Sequence, residues 1–240
     1  PETGADLANE LEEMIAVYDA SNVAAVIVEP LAGSAGVIPP PKGYLKRLRD
    51  ICTKHNILLI FDEVITAFGR MGSNTGAAEF DVTPDIMTVA KQLTNGVIPM
   101  GAVIAKQEIY DVFMDTGGPE YMLELPHGYT YSAHPVACAA ALASLDILAQ
   151  ENLQEVLHSL KSCKHVVDIR NYGLAGGISI AHAPGEPAKR PHQIAMKMWQ
   201  KGFYVRYGGD TIQLGLPFTS TLPEISSLMN ALGETLNEID

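Results

Sequence analysis

Four short apolar runs constrain this chain most: VAAVIV at 23–28, ILLIF at 57–61, IMTVA at 86–90 and MGAVIA at 100–105. Each is bounded by turn residues or charges and holds β-branched residues, so each reads as a strand. None alternates apolar with polar, which is the pattern of strands buried on both faces of a parallel sheet. Residues 43–55 (GYLKRLRDICTKH) place Leu45, Leu48, Ile51 and Cys52 on one helical face. Strands separated by helices or long crossovers predict an α/β fold with a mostly parallel sheet. Three of the runs are followed at once by an ionisable residue: Glu29, Asp62 and Lys91. Parallel strands would bring these three to one edge, beyond the carboxyl ends where such sheets bind ligands.

The rest of the chain divides near residue 150. Before it, residues 6–19 space Leu7, Leu11, Met14, Ile15 and Tyr18 as a helix, residues 126–132 (PHGYTYS) read as a loop, and 135–149 read as a helix opened by proline. After it come a helix near Leu153–Ser162, strands in VVDIR, GLAGGISIA, YVRYG and TIQLGLPF, a helix near His192–Lys201 and a last helix over Leu222–Ile239. That mixed order predicts a larger domain over 1–150 and a smaller α+β domain over 151–240.

Charge narrows the function. Twenty-eight acids against 16 bases give a net charge of -12, which disfavours nucleic acid and anionic membrane as partners. No run reaches the roughly 18 apolar residues of a membrane span, and no basic-plus-apolar leader stands at the start. The three cysteines, Cys52, Cys138 and Cys163, have no metal-type spacing, and neither do the histidines, including His127 and His134. A reducing, cytoplasmic setting without a metal site is expected.

Asp62 and Lys91 carry the chemical question. Lysine is a poor strand residue and is seldom buried without a partner. An ion pair with Asp62 at the sheet edge is one answer. The other is cofactor chemistry: a nucleophilic lysine at an apolar strand end, and an aspartate that keeps a pyridine nitrogen protonated as an electron sink. The spacing leaves both open.

Longer motifs bear on the choice. IVEPLAGSAGVIPPPKGYL, LLIFDEVITAFGRMG, PDIMTVAKQLTNGVIPMGAV, HGYTYSAHPVACAAALA and YVRYGGDTIQLGLPF follow one another in this chain. Together they resemble the class III pyridoxal-phosphate aminotransferases, nearest in pattern to the ω-amino acid–pyruvate transaminases. The resemblance implies a fold-type I enzyme that uses pyridoxal 5'-phosphate to move an amino group from an ω-amino acid or amine to a keto acid such as pyruvate. It also implies a homodimer with shared active sites. It makes Lys91 the lysine that joins the cofactor and shuttles protons, and Asp62 the partner of the ring nitrogen. Val64 becomes the apolar residue against the ring, Thr130 a phosphate-binding hydroxyl reaching across the dimer, and Arg206 the carboxylate-binding arginine. Glu29 either orders the site or is structural. Gly208-Gly209 more simply make a turn.

The match begins partway through the family's pattern, without its phosphate-binding loop and stacking aromatic residue, and the segment between Glu151 and Val166 is shorter. Ala67 stands where glycine is usual, and Ile65 where many members carry glutamine. A chain that folds or dimerises but catalyses nothing is therefore a second expectation. A third is an aminomutase or decarboxylase built on the same Asp62 and Lys91.

Overall fold

The apolar runs become strands β1 (Ala25–Val28), β2 (Leu58–Asp62), β3 (Ile86–Val89) and β4 (Ala102–Ala105), joined in the order β1-β2-β3-β4. The structure is a computed structural model that describes residues 3–116, 118–121, 125, 127, 129–150, 157–217 and 220–240. The first three strands are parallel, with Val28 beside Phe61 and Asp62 beside Thr88. β4 runs antiparallel to β3. Only a 3-10 turn at Lys91–Leu93 lies between them, with no crossover helix to carry the chain back for a parallel pair.

Helix α1 (Gly4–Ala8) and helix α2 (Glu10–Tyr18) divide the stretch expected as one helix, and the backbone stays right-handed at Asn9 between them. Helix α3 (Tyr44–Lys54) follows the left-handed Gly43 and buries Leu45, Leu48, Ile51 and Cys52, as their spacing requires. Leu45, Ile51 and Cys52 meet Ile15, Ile57, Leu59, Phe61 and Val82 in one core. Each such side chain contributes roughly 1.5–3 kcal/mol when fully buried. The short helix α4 (Gly76–Glu79), helix α5 (Gln107–Thr116) and helix α6 (Pro135–Gln150) complete this part.

The expectation of a sheet buried on both faces is corrected. Leu59 and Phe61 are fully buried, but Ile27 is 63% exposed, Val103 70% and Ile104 49%. An apolar strand shows that both faces suit burial. It does not show that both are covered.

Strand β5 (Val166–Tyr172), strand β6 (Ala175–Ile180), strand β7 (Arg206–Gly208) and strand β8 (Thr211–Gly215) form a second, antiparallel sheet in the order β5-β6-β8-β7. Helix α7 (Lys189–Gln200) and helix α8 (Leu222–Glu238) cover it. Ile178, Ile180, Ile194, Met198, Ile212 and Leu232 are at its centre. α8 starts on a capping box in which the Thr221 N–H donates to Glu224 Oε2 at 2.8 Å across its first turn. Of the helix expected near Leu153–Ser162, residues 151–156 lie outside the described residues, and Leu157–Ser162 form a 3-10 turn. Gly128 and Phe218, at the expected loop and strand end, also lie outside them.

Gly173 joins the two sheets closely. It has φ +54, and a Cβ there would meet Arg70 O and the Met71 carbonyl carbon at 2.5 Å. Gly173→Ala is expected to cost about 2–4 kcal/mol, from left-handed strain plus a backbone collision. Gly202, at φ +88 with nothing within 4 Å, isolates the strain. Gly202→Ala is expected to cost about 1–2 kcal/mol. Urea midpoints of the two variants check the difference.

Asp85, at the start of β3, ties three elements. It accepts from Arg49 Nη1 at 2.6 Å, the Leu59 N–H at 2.7 Å and Lys106 Nζ at 2.8 Å. Burial alone would raise its pKa. The Lys106, Leu59 and Arg49 hydrogen bonds outweigh burial and hold it below the ordinary carboxylate value. A lowered folded pKa stabilises the protein above the unfolded value, near pH 4, and that contribution is lost as pH falls through the folded value. Asp85→Asn is expected to cost about 1–3 kcal/mol at pH 7. The gap from the parent should shrink below about pH 4, as urea unfolding at both pH values would reveal.

Candidate active site

β2 ends at Asp62, and its half-buried carboxylate is only partly engaged. Oδ1 accepts from the Val64 N–H at 3.0 Å and faces Thr88 Oγ1 at 3.4 Å. Oδ2 has no hydrogen-bond partner among the described residues. The next residue, Glu63, lies just past the strand end and is fully buried. It accepts from Thr66 Oγ1 at 2.6 Å and from the N–H groups of Gly76 and Ala77 at 2.7 Å each. Glu63 thereby closes the turn after β2 onto the first turn of α4 and leaves Asp62 facing outward. Sequence reasoning missed this role of Glu63. Its available signal was a second acid beside Asp62.

Lys91 follows β3 by two residues and begins the 3-10 turn with φ +45. That left-handed backbone costs a non-glycine residue about 1–2 kcal/mol, so its neighbours must hold it. Leu93 N–H donates to Ala90 O at 3.1 Å, and Ser144 Oγ donates to Gln92 O at 3.0 Å. Thr94 Oγ1 donates to Ile98 O at 2.6 Å. With its amide oriented to satisfy both ends, the buried Gln92 side chain accepts from the Arg70 guanidinium and donates to Asn95 Oδ1 at 3.2 Å.

A lysine ending an apolar strand is expected to be buried with its aspartate; at Lys91 that expectation is corrected, because its side chain is exposed. The turn lifts it off the strand end instead of continuing into the core. Its ammonium makes no ion pair or hydrogen bond among the described residues, so the Asp62–Lys91 ion pair is not formed.

Arg70 was also missed. It is 9% exposed and donates through Nη1 to Leu216 O at 2.7 Å and Leu174 O at 3.4 Å. Burial lowers its pKa to about 10, which leaves it a cation at neutral pH.

Val64 is half-buried and sits beside Asp62, but in the turn after β2 and not on extended strand. Side-chain alternation along an extended strand would set Asp62 and Val64 on one side; past the strand end that expectation fails, and the Asp62–Val64 hydrogen bond is what holds the two together. Glu29 accepts from the Gly33 N–H at 3.0 Å, an ordering contact within its own loop. Arg206 is exposed on β7, opposite Gln213 of β8. It lines a cleft of about 580 Å³ with Leu216, Pro217 and Ser220, and its guanidinium has no hydrogen-bond partner among the described residues. Thr130 is exposed in a turn, and no described contact joins it to Asp62 or Lys91. The structure thus gathers Asp62, Val64 and Lys91 at one end of the first sheet. Arg206 stands on the second sheet, and Thr130 stays apart. Among the described residues no group of acids, cysteines and histidines could hold a metal ion, and no helix is long and apolar enough to cross a membrane.

Comparison with known proteins adds a family to this geometry. The family model described as aminotransferase class-III matches residues 2–236. A beta-alanine–pyruvate aminotransferase of Pseudomonas aeruginosa is 60% identical over 98% of this chain and 55% of its own length. An omega-amino acid–pyruvate aminotransferase of Pseudomonas putida is 57% identical over 99% of the chain and 56% of its own length. The chain therefore spans just over half the length of these relatives. An amine transaminase from an uncultivated Pseudomonas species, solved in its PLP-bound form, superposes with TM-score 0.88 at 37% identity over 99% of this chain and 57% of that one.

Proposed function

The chain belongs to the class-III aminotransferases, and from that premise we propose that it carries the catalytic end of a pyridoxal-phosphate transaminase. In this reading it passes an amino group from an ω-amino acid or amine to a keto acid such as pyruvate. One observation carries the reading: Asp62 ends β2, Lys91 opens the turn just after the neighbouring parallel β3, and the two do not pair with each other. The free Oδ2 of Asp62 and the free amine of Lys91 are what a third group between them needs. The residues present fit pyridoxal phosphate on that ground. When bound, it supplies an electron sink for charge developing beside the transferred nitrogen.

The chain's own groups do the rest. Asp62, held by the Val64 N–H, presents a negative oxygen that keeps a ring nitrogen protonated. Lys91 would hold the cofactor through its amine, and that amine is the group placed to move a proton at the substrate carbon. Val64 would offer the apolar surface for the ring. Arg206 offers a planar two-pronged donor for a substrate carboxylate. Thr130 binds phosphate from the opposite subunit of a homodimer in the cytoplasm.

The test is incubation of the 240-residue chain with pyridoxal phosphate, β-alanine and pyruvate. A visible absorption band and formation of alanine are the expected results. A band with product other than alanine would favour aminomutase or decarboxylase chemistry. A folded chain with neither would favour the non-catalytic reading. The apolar surface at Val103, Ile104, Val112 and Phe113, all exposed, favours association in that case.

Arg206→Ala is expected to raise KM for β-alanine by about 10–100-fold, the loss of a charged hydrogen-bond pair. An amine donor lacking a carboxylate should keep its KM. Steady-state kinetics with the two donors check this.

A further inference from the structure

Arg70 touches two parts of the molecule, the turn at Lys91 and the end of the second sheet. On one side its guanidinium meets the side chain of Gln92, with Nε at 3.3 Å, in the turn that holds Lys91 left-handed. On the other it donates to the carbonyls of Leu174, just before β6, and Leu216, just after β8. The Arg70 backbone carbonyl accepts from the Leu174 N–H at 2.9 Å, and Leu216 N–H donates to Leu174 O at 3.2 Å. β8 then pairs rigidly with β7, setting Gln213 opposite Arg206. Other side-chain ties between the sheets, among the described residues, reach elsewhere. Arg170 and Gln213 donate to Gly36 O and Ser34 O, in the loop after β1.

We propose that Arg70 is a positioning residue that locks the second sheet to the Lys91 turn and so fixes the span between the Lys91 amine and the Arg206 guanidinium. The span matters because an amino acid must reach both, nitrogen at one end and carboxylate at the other. This rests on the reading of Arg206 as the carboxylate site. A planar guanidinium suits the task because its donors point in fixed, divergent directions, whereas a lysine ammonium at that position can serve only one side well. The inference makes Arg70 a determinant of amino-acid length rather than of the bond chemistry.

Amide hydrogen exchange on the full chain decides the coupling, with no need for activity. Gln92→Leu cuts the link on the Lys91 side and leaves the Leu174 and Leu216 carbonyl bonds in place. Its expected result is exchange about tenfold faster at the Leu174 and Leu216 amides as well as over residues 91–95, with β2 and α8 unchanged. Arg70→Met should quicken the same amides, and it decides the matter alone should Gln92→Leu fail to fold. Faster exchange confined to one side of Arg70 in either folded variant would overturn the proposal. In the active enzyme, Arg70→Lys should raise KM about tenfold for β-alanine but not for a carboxylate-free amine, with kcat changed less. Equal changes for both donors would overturn it too. If Arg206→Ala leaves KM for β-alanine unaltered, the carboxylate assignment fails, while the exchange result still reports on the coupling by itself.

Discussion

Lys91→Ala is expected to remove the visible band that pyridoxal phosphate develops with this protein and to lower turnover by on the order of 10⁴-fold. That is the upper end of what one positioned proton-transfer group supplies, and Lys91 is assigned covalent anchoring as well. The fold should survive. The side chain is exposed and makes no ion pair or hydrogen bond among the described residues, so stability should change by less than about 0.5 kcal/mol. Lys91→Gly should be equally inactive. It should also be more stable than Lys91→Ala by about 1 kcal/mol, because only glycine is at ease with a backbone at φ +45. Absorption spectra, turnover and urea midpoints of the three proteins separate loss of chemistry from loss of structure. Turnover within threefold of the parent in folded Lys91→Ala would sink the proposed function.

The strand ends were legible because each apolar run stops at a charge. VAAVIV, ILLIF and IMTVA announce their own limits, and parallel pairing comes from the helices and long connections between them. That put Glu29, Asp62 and Lys91 at one edge without any knowledge of packing. The α3 face was legible for the same kind of reason, since four residues at helical spacing define a buried stripe.

The features that stayed illegible depend on partners distant in sequence. Glu63 is buried because Gly76 and Ala77 bring their N–H groups to it. Arg70 is buried because Leu174 and Leu216 arrive from the second sheet, 104 and 146 residues away. No local pattern marks Arg70, and the only local mark of Glu63 is that it is a second acid beside Asp62. The exposure of Lys91 has a similar origin: an apolar strand predicts burial for the residue at its end, but the left-handed turn is imposed by Gln92, Ser144 and Arg70. Val64 shows how a boundary error propagates. With β2 ending at Asp62, the two residues are neighbours through a hydrogen bond in the turn and not through strand alternation.

Asp62→Asn is the sharper test of the same site, because it changes charge and almost nothing else. Asparagine keeps an oxygen where Oδ1 accepts from the Val64 N–H, so the turn after β2 should hold and stability should stay within about 1 kcal/mol. The other carboxylate oxygen, which has no hydrogen-bond partner among the described residues, becomes an NH2 group. A donor there opposes a protonated ring nitrogen instead of stabilising it. Turnover is expected to fall by about 10²–10³-fold, the scale of losing one preorganised electrostatic contact, and pyridoxal phosphate should bind more weakly. The visible band should persist at saturating cofactor, because Lys91 is untouched. The two variants therefore fail differently: one loses the band and the activity, the other keeps the band and loses most of the activity. Spectral titration beside turnover distinguishes them. Should Asp62→Asn retain full turnover, Asp62 would be a turn-forming residue only, and the free oxygen that supports the proposed site would have another explanation.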